Sequence, residues 1–429
     1  MKKKYRIILY TSIFLLCVVA SIILVVKKSN SVYEEESKPK VVKHKSMLSM
    51  NLEQTAGAGD YKTVTQSGWP TEGYKFNAEL SRCENGSTLS WDDTKKAVIV
   101  SGNLSDKCYV YFDIYQPTLA EYIKSQYTGT QGENNIYYHD SDLANGAGDN
   151  SYRYAGANPN NFVCFGSDTS PCPTDNLYRI IGVFGENYHG VTGKQLVKLI
   201  KYDYMTTDEL GTDGDYSQTY KEWGMDSTYK GTYGDGERIG VYYWNYKATN
   251  SATNTWSTSL LNKTNLNTNF INNIGTTWAN KIATVTWKVG GNTWANIGAK
   301  TSSVAYTNEI TNPVTTNTTD NATTYSAKIG LMYVSDYGFA ASPDAWTLTM
   351  SSYNNTTATN NNWMYMGLYE WTISRHADYS HLAFRVNYDG YVLNNGVSSY
   401  IGVRASFNLE SSVSYVSGSG SMSDPIVIN

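Results

Sequence analysis

Charge is scarce in this chain. Asp, Glu, Lys and Arg make up 17% of its 429 residues, which argues against a disordered polyelectrolyte. Proline is rarer still, at 9 residues, beside abundant Tyr, Thr, Asn and Gly, a balance that reads as many strands joined by turns. Cysteine is limited to 5 residues, with no Cys-x-x-Cys spacing and no His at ligand spacing beside any of them, so a cysteine-based metal site is not expected. No Gly-rich loop followed by Lys and Ser/Thr is present, which removes the common phosphate cradle. No cofactor is expected.

The scarce charge is also unevenly placed. Lys2, Lys3, Lys4, Arg6, Lys27 and Lys28 all lie in residues 1–30, where there is no acid, and setting these six aside takes the net charge from -4 to -10. So acidic a remainder does not suit nucleic acid as a partner. Between the two basic groups, Ile7 to Val26 is almost wholly apolar. A helix of that length spans about 30 Å, the thickness of a bilayer's hydrocarbon core. The leading basic residues favour a cytoplasmic N-terminus. The sequence therefore predicts one N-terminal transmembrane helix as a retained anchor, a single-pass cell-membrane location and an extracellular C-terminal domain. No Ala-x-Ala cleavage site directly follows the apolar run.

Apart from Cys17, the cysteines form two local pairs, Cys83 with Cys108 and Cys164 with Cys172. Two disulfides in that pattern imply an oxidising compartment. Residues 1–30 then read as cytoplasmic tip and anchor, 31–60 as a stalk with little to bury, and 61–115 as a small β-module. Residues 116–429 read as a helix, a disulfide loop and a large domain with its core at 175–429. Thr118 with Glu121 has capping-box spacing for a helix over 118–127. Leu177 to Phe184 and Gln195 to Lys201 read as a β-hairpin, and Ser257 to Ile274 as helical.

Across 175–429 a series of short motifs follows in order. Tyr178-Arg179-Ile180-Ile181-Gly182 and Val197-Lys198-Leu199-Ile200 come first, then Trp256-Ser257-Thr258-Ser259-Leu260-Leu261-Asn262 and Lys328-Ile329-Gly330-Leu331-Met332. Glu370-Trp371-Thr372-Ile373-Ser374-Arg375, Ala383-Phe384-Arg385-Val386, Asp389-Gly390 and Val403-Arg404 complete it. In this order they resemble the DUF6273-like bacterial surface domain, related to the C-type-lectin-like and sulfatase-modifying-factor folds. The family often has Arg-Pro where this chain has Arg404-Ala405. The resemblance implies an α+β fold, a C-type-lectin-like mixed domain with long loops forming a binding face. It implies no catalysis, because the sulfatase-modifying enzymes need a reactive Cys pair late in the domain and no Cys follows Cys172. The tripeptides of calcium-binding lectins are absent too, and a fold alone does not license a function.

Several residues invite chemistry. His376, Asp378 and His381 have metal-ligand chemistry, but their segment reads as a solvated loop between strands, and no metal is expected. Glu370 and Asp389 could form a glycosidase pair, but Glu370 is better read as a core partner of Arg375 or Arg404, and Asp389-Gly390 as a hairpin turn. No catalytic residue is assigned. Among the tryptophans, Trp256 and Trp371 read as core, while Trp346 and Trp363 flank a loop containing Tyr353 and Asn354 and are the surface candidates. These four are the expected ligand-binding residues, with rings stacking on a sugar and the amide binding hydroxyls. The resulting expectation is an anchored surface protein of binding or adhesion type, its ligand a glycan or a protein. An extracellular enzyme acting on envelope or host glycans and a structural envelope protein without a ligand are the alternatives.

Overall fold

The chain divides into two compact units, Met1–Gln116 and Pro117–Asn429. The computed structural model describes residues 48–65, 68–70, 73–220, 229–234, 236–248, 251–313, 322–354 and 359–429.

In the first unit a four-stranded sheet runs in the order Tyr61–Val64, Leu48–Glu53, Cys108–Ile114, Tyr74–Cys83. Cys108–Ile114 alternates in the manner of a half-buried strand: Val110 and Phe112 are buried while Tyr109 and Tyr111 are partly exposed. Its antiparallel register with Tyr74–Cys83 sets Cys83 opposite Cys108, and the two form a disulfide. Thr88–Asp92 and Ala97–Ser101 make a hairpin, whose turn is stabilised by Asp92 Oδ1 accepting from the Thr94 and Lys95 amides, each at 3.0 Å. The core is small: Met50, Leu52, Val98, Val110 and Phe112. The stalk expected over 31–60 gives way at Leu48, because Met50 and Leu52 supply apolar side chains to this core.

The second unit is built on two larger sheets. One runs Ile329–Gly330, Ser406–Asn408, Leu196–Lys201, Leu177–Phe184, Ser151–Tyr154, Ile136–His139, with Phe162–Cys164 also pairing to Leu177–Phe184. Leu177–Phe184 and Leu196–Lys201 form the expected antiparallel hairpin, and every residue of both is buried, as their near-continuous apolar runs demand. Their register shifts between Ile180 and Gly182. A Cβ at Gly182 would stand 2.2 Å from the Tyr152 carbonyl oxygen, so only glycine lets the neighbouring strand approach there. The other sheet runs Tyr216–Thr219, Gly240–Tyr243, Tyr400–Gly402, Glu370–His376, Leu382–Val386, Val392–Gly396, with Gly291–Asn292 added alongside Glu370–His376. The Cys164–Cys172 disulfide closes the short loop after Phe162–Cys164.

Among the described residues helices are few and short. Leu119–Ser125 opens on the capping box of Thr118 and Glu121. The helical stretch expected over 257–274 is present as wide turns over Leu261–Phe270 running into Ile271–Ala279. The expected α+β, C-type-lectin-like class is therefore corrected: the described residues are mostly β-sheet with few helices. The physical reason lies in the composition. Thr, Asn and Ser side chains bond nearby backbone groups and so favour turns and strand ends over helix interiors.

The transmembrane helix expected at 7–26 lies outside the described residues. Among the described residues no helix is long and apolar enough to cross a membrane. The single-pass membrane location expected from the sequence is corrected accordingly and carries no further reading.

Candidate functional site

Three of the four side chains expected to meet a ligand are buried. Trp346 is 0% exposed, Tyr353 0% and Trp363 3%. Each is held by a polar bond that lets it stay inside. Trp346 Nε1 donates to the Ala341 carbonyl and Trp363 Nε1 to the Tyr154 carbonyl, both at 2.8 Å. The Tyr353 hydroxyl donates to the Gly338 carbonyl at 3.0 Å. Trp346 packs edge-on against Tyr137 and Phe339, and the Arg179 guanidinium lies over the Trp363 ring. Only Asn354 is exposed. The expectation that the two indoles flank an open loop is corrected on this ground.

The other candidates are dispersed. His376 ends the strand Glu370–His376 rather than lying in a loop, and is buried. Its ring stacks on Phe384, and burial holds its pKa below the usual histidine value. Asp378 and His381 are exposed. Among the described residues no three His, Cys, Asp or Glu side chains gather as a metal-ligand set. Glu370 is buried and pairs with Arg404, one of its two expected partners, at 2.8 Å. Burial raises the Glu370 pKa, and the Arg404 guanidinium opposes that rise. Asp389 instead accepts from its neighbour Asn387.

A different set of rings reaches the surface. Tyr243 and Tyr400 are register partners on adjacent antiparallel strands, which puts both side chains on one face. Tyr400 is 46% exposed, and Tyr246, at 37%, meets the half-buried Tyr243 edge-on with ring centres 5.0 Å apart. The Ser217 hydroxyl bonds the Tyr243 hydroxyl at 3.3 Å, and Lys247 Nζ stands 6.0 Å above the Tyr243 ring.

Buried groups behind the platform hold it in position. Asp215 is wholly buried and accepts four backbone N–H groups. Oδ1 takes Tyr246 at 3.2 Å and Lys247 at 2.8 Å, while Oδ2 takes Leu260 at 2.9 Å and Leu261 at 3.2 Å. One carboxylate thus ties the segment that carries Tyr246 to the start of a helical stretch. Asn245, between Trp244 and Tyr246, donates to the Thr253 and Thr255 carbonyls and to the Thr258 hydroxyl. Exposed phenol rings with hydroxyls beside them can stack on the face of a ring-shaped ligand and bond its edge.

These tyrosines stand behind the indoles as ring candidates in the sequence, because an indole is the larger stacking surface. The available signal was number: 37 Tyr against 11 Trp, and a phenol keeps its hydroxyl in water while its ring packs.

No protein-family model, curated protein or solved structure gives a significant match to the chain.

Proposed function

We propose that the second unit is a binding module whose ligand is a glycan, recognised on the face formed by Tyr243, Tyr246 and Tyr400. The observation that carries this reading is the exposure of rings on a backbone already fixed by Asp215 and Asn245. Burying a hydrophobic ring face against a sugar releases water, and ordering costs are small because the rings are held beforehand. The ordered motifs from Tyr178 to Arg404 and their resemblance to a bacterial surface domain support a binding role of adhesion type.

The test is a glycan array probed with the full-length chain, followed by calorimetry on whichever oligosaccharide binds. Selective binding that falls at least tenfold in Tyr243→Ala/Tyr400→Ala, with the far-UV circular dichroism and thermal unfolding of wild type, is the expected result. Binding that survives the double substitution would remove this face from the proposal. Failure of the folded chain to bind any glycan would sink the proposal itself.

A further inference from the structure

Inside the second unit an amine and a carboxyl group meet out of reach of water. Lys198 and Asp336 have no exposed side-chain surface, and Lys198 Nζ lies 2.6 Å from Asp336 Oδ2. Lys198 comes from the central strand Leu196–Lys201 and Asp336 from the first turn of the short helix Val334–Ala340, so 138 residues of chain separate them. Aromatic rings wall the contact: Nζ is 4.5 Å from the ring centre of Tyr333, 4.8 Å from Tyr188 and 5.0 Å from Trp287.

Such surroundings disfavour separated charges. Burial lowers the Lys198 pKa, with Asp336 acting against that fall. In a medium that solvates ions poorly the neutral amine is favoured, and it stands beside the Asp336 carboxyl group. These are a nucleophile and an electrophile already in contact.

The other groups at the contact fit a condensation. The Tyr188 hydroxyl accepts from Lys198 Nζ at 2.7 Å and donates to Asp336 Oδ1, so it bridges the two reactants. Burial raises its pKa, which keeps it a hydroxyl. The Tyr333 backbone N–H donates to Asp336 Oδ2 at 2.9 Å, where charge would develop during attack. Arg153 Nη1 is buried without a hydrogen-bond partner and stands 3.9 Å from Asp336 Oδ1. Glu309 is the second carboxylate nearby. It accepts from the Val334 and Ser335 amides and from the Ser374 hydroxyl, and burial raises its pKa.

We propose that Lys198 and Asp336 condense in the folded chain to an intramolecular amide crosslink. A first proton passes from the Lys198 ammonium through the Tyr188 hydroxyl to Oδ1, which becomes the carboxyl hydroxyl, and the Nζ lone pair then attacks Cγ, forming the C–N bond. Oδ2, facing the Tyr333 N–H, carries the developing charge and becomes the amide oxygen. A second Nζ proton takes the same path, passing to the Tyr188 oxygen while Tyr188 gives its own proton to Oδ1. The Cγ–Oδ1 bond then breaks and Oδ1 leaves as water. Amine and acid become amide and water, and no oxidant or reductant is involved.

Mass spectrometry of the full-length chain, unfolded and reduced after purification, tests this directly. The expected mass is one water below the sequence mass, and a digest yields a branched peptide joining Lys198 to Asp336. Lys198→Met and Asp336→Ala each restore the full mass. Tyr188→Phe keeps the ring but removes the relay, and the crosslinked fraction after a fixed time falls at least tenfold. The wild-type chain carries the decisive measurement, so a variant that fails to fold leaves the test intact. Folded wild-type chain at full sequence mass, with Lys198 and Asp336 in separate unmodified peptides, overturns the proposal. Water loss that maps to any other residue pair does the same.

Discussion

Residues 48–116 and residues 117–429 differ in what they take out of water. The smaller unit has five apolar side chains in its buried cluster and leaves its ion pairs, Lys95–Asp92, Lys96–Asp93 and Lys107–Glu84, largely exposed. Exposed pairs of this kind contribute little. A covalent link between the paired strands, Cys83–Cys108, makes up part of what so small a core cannot supply. The larger unit encloses Trp244, Trp256, Trp287, Trp346 and Trp371 together with Arg153, Arg375 and Arg404. It has surface enough to bury ions, and several are paired: Arg404 with Glu370, Arg153 with Asp149 and Lys201 with Glu209. Size therefore decides whether charge is held at the surface or used in the interior.

The sharpest way to break this contrast is to open the large core. Trp346→Ala should cost the second unit about 3–5 kcal/mol, the range for removing a buried aromatic, as read by denaturant unfolding. Trp91, only half-buried against Phe112, should cost less when truncated. Equal losses at the two positions would show that Trp346 is not in a packed core.

The disulfides test the same contrast through the unfolded chain. Cys83 and Cys108 are 25 residues apart, Cys164 and Cys172 only 8. Loop-closure entropy then gives about 3.5 kcal/mol for the first link and about 2.5 kcal/mol for the second. Paired Cys→Ser variants, compared by thermal unfolding, should show the smaller unit losing most of its cooperativity. The larger unit should keep its transition after losing its own bridge.

Acidity separates the units next. Burial, with Arg153 beside it, holds the His139 pKa well below the usual 6.5. A histidine depressed in the fold contributes its full stability above about pH 6.5 and loses it as pH falls toward the folded value. The slope reaches about 1.4 kcal/mol per pH unit. Buried Glu309 and Glu370, whose pKa values are raised, act with the opposite sign: their contribution is full below about pH 4.5 and is lost as pH rises. Comparing wild type with His139→Gln between pH 6.5 and 5 isolates the histidine, and the variant should show the shallower dependence. Residues 48–116 contain no histidine, so their unfolding should hold steady across that window.

The smallest effect on stability belongs to the surface. Tyr400→Ala, at an exposed position, should change the unfolding free energy by no more than about 0.5 kcal/mol. A loss well above that would mean the ring is packed rather than presented.

Much of the local structure was legible in the residues. The Thr118–Glu121 cap, the Asp92 turn, the hairpin at 177–201 and both disulfides follow from short-range spacing, because each joins groups the chain itself keeps close. Glu370 pairing with Arg404 was legible only as one of two options, since the two are 34 positions apart. The aromatic surface was misread because exposure is a property of what packs over a ring. Trp346 and Trp363 sit beside polar loops in the sequence, yet each donates its indole N–H to a backbone carbonyl in the core.

What the sequence alone determined, then, is the strand-and-turn composition, the acidic balance and the contacts made within a few tens of residues. Those depend on propensity, charge and short loop closure. Which tyrosines reach solvent, and that Lys198 meets Asp336 across 138 residues, only the tertiary structure decided. Such meetings depend on how whole sheets and helices pack, and no local pattern encodes them.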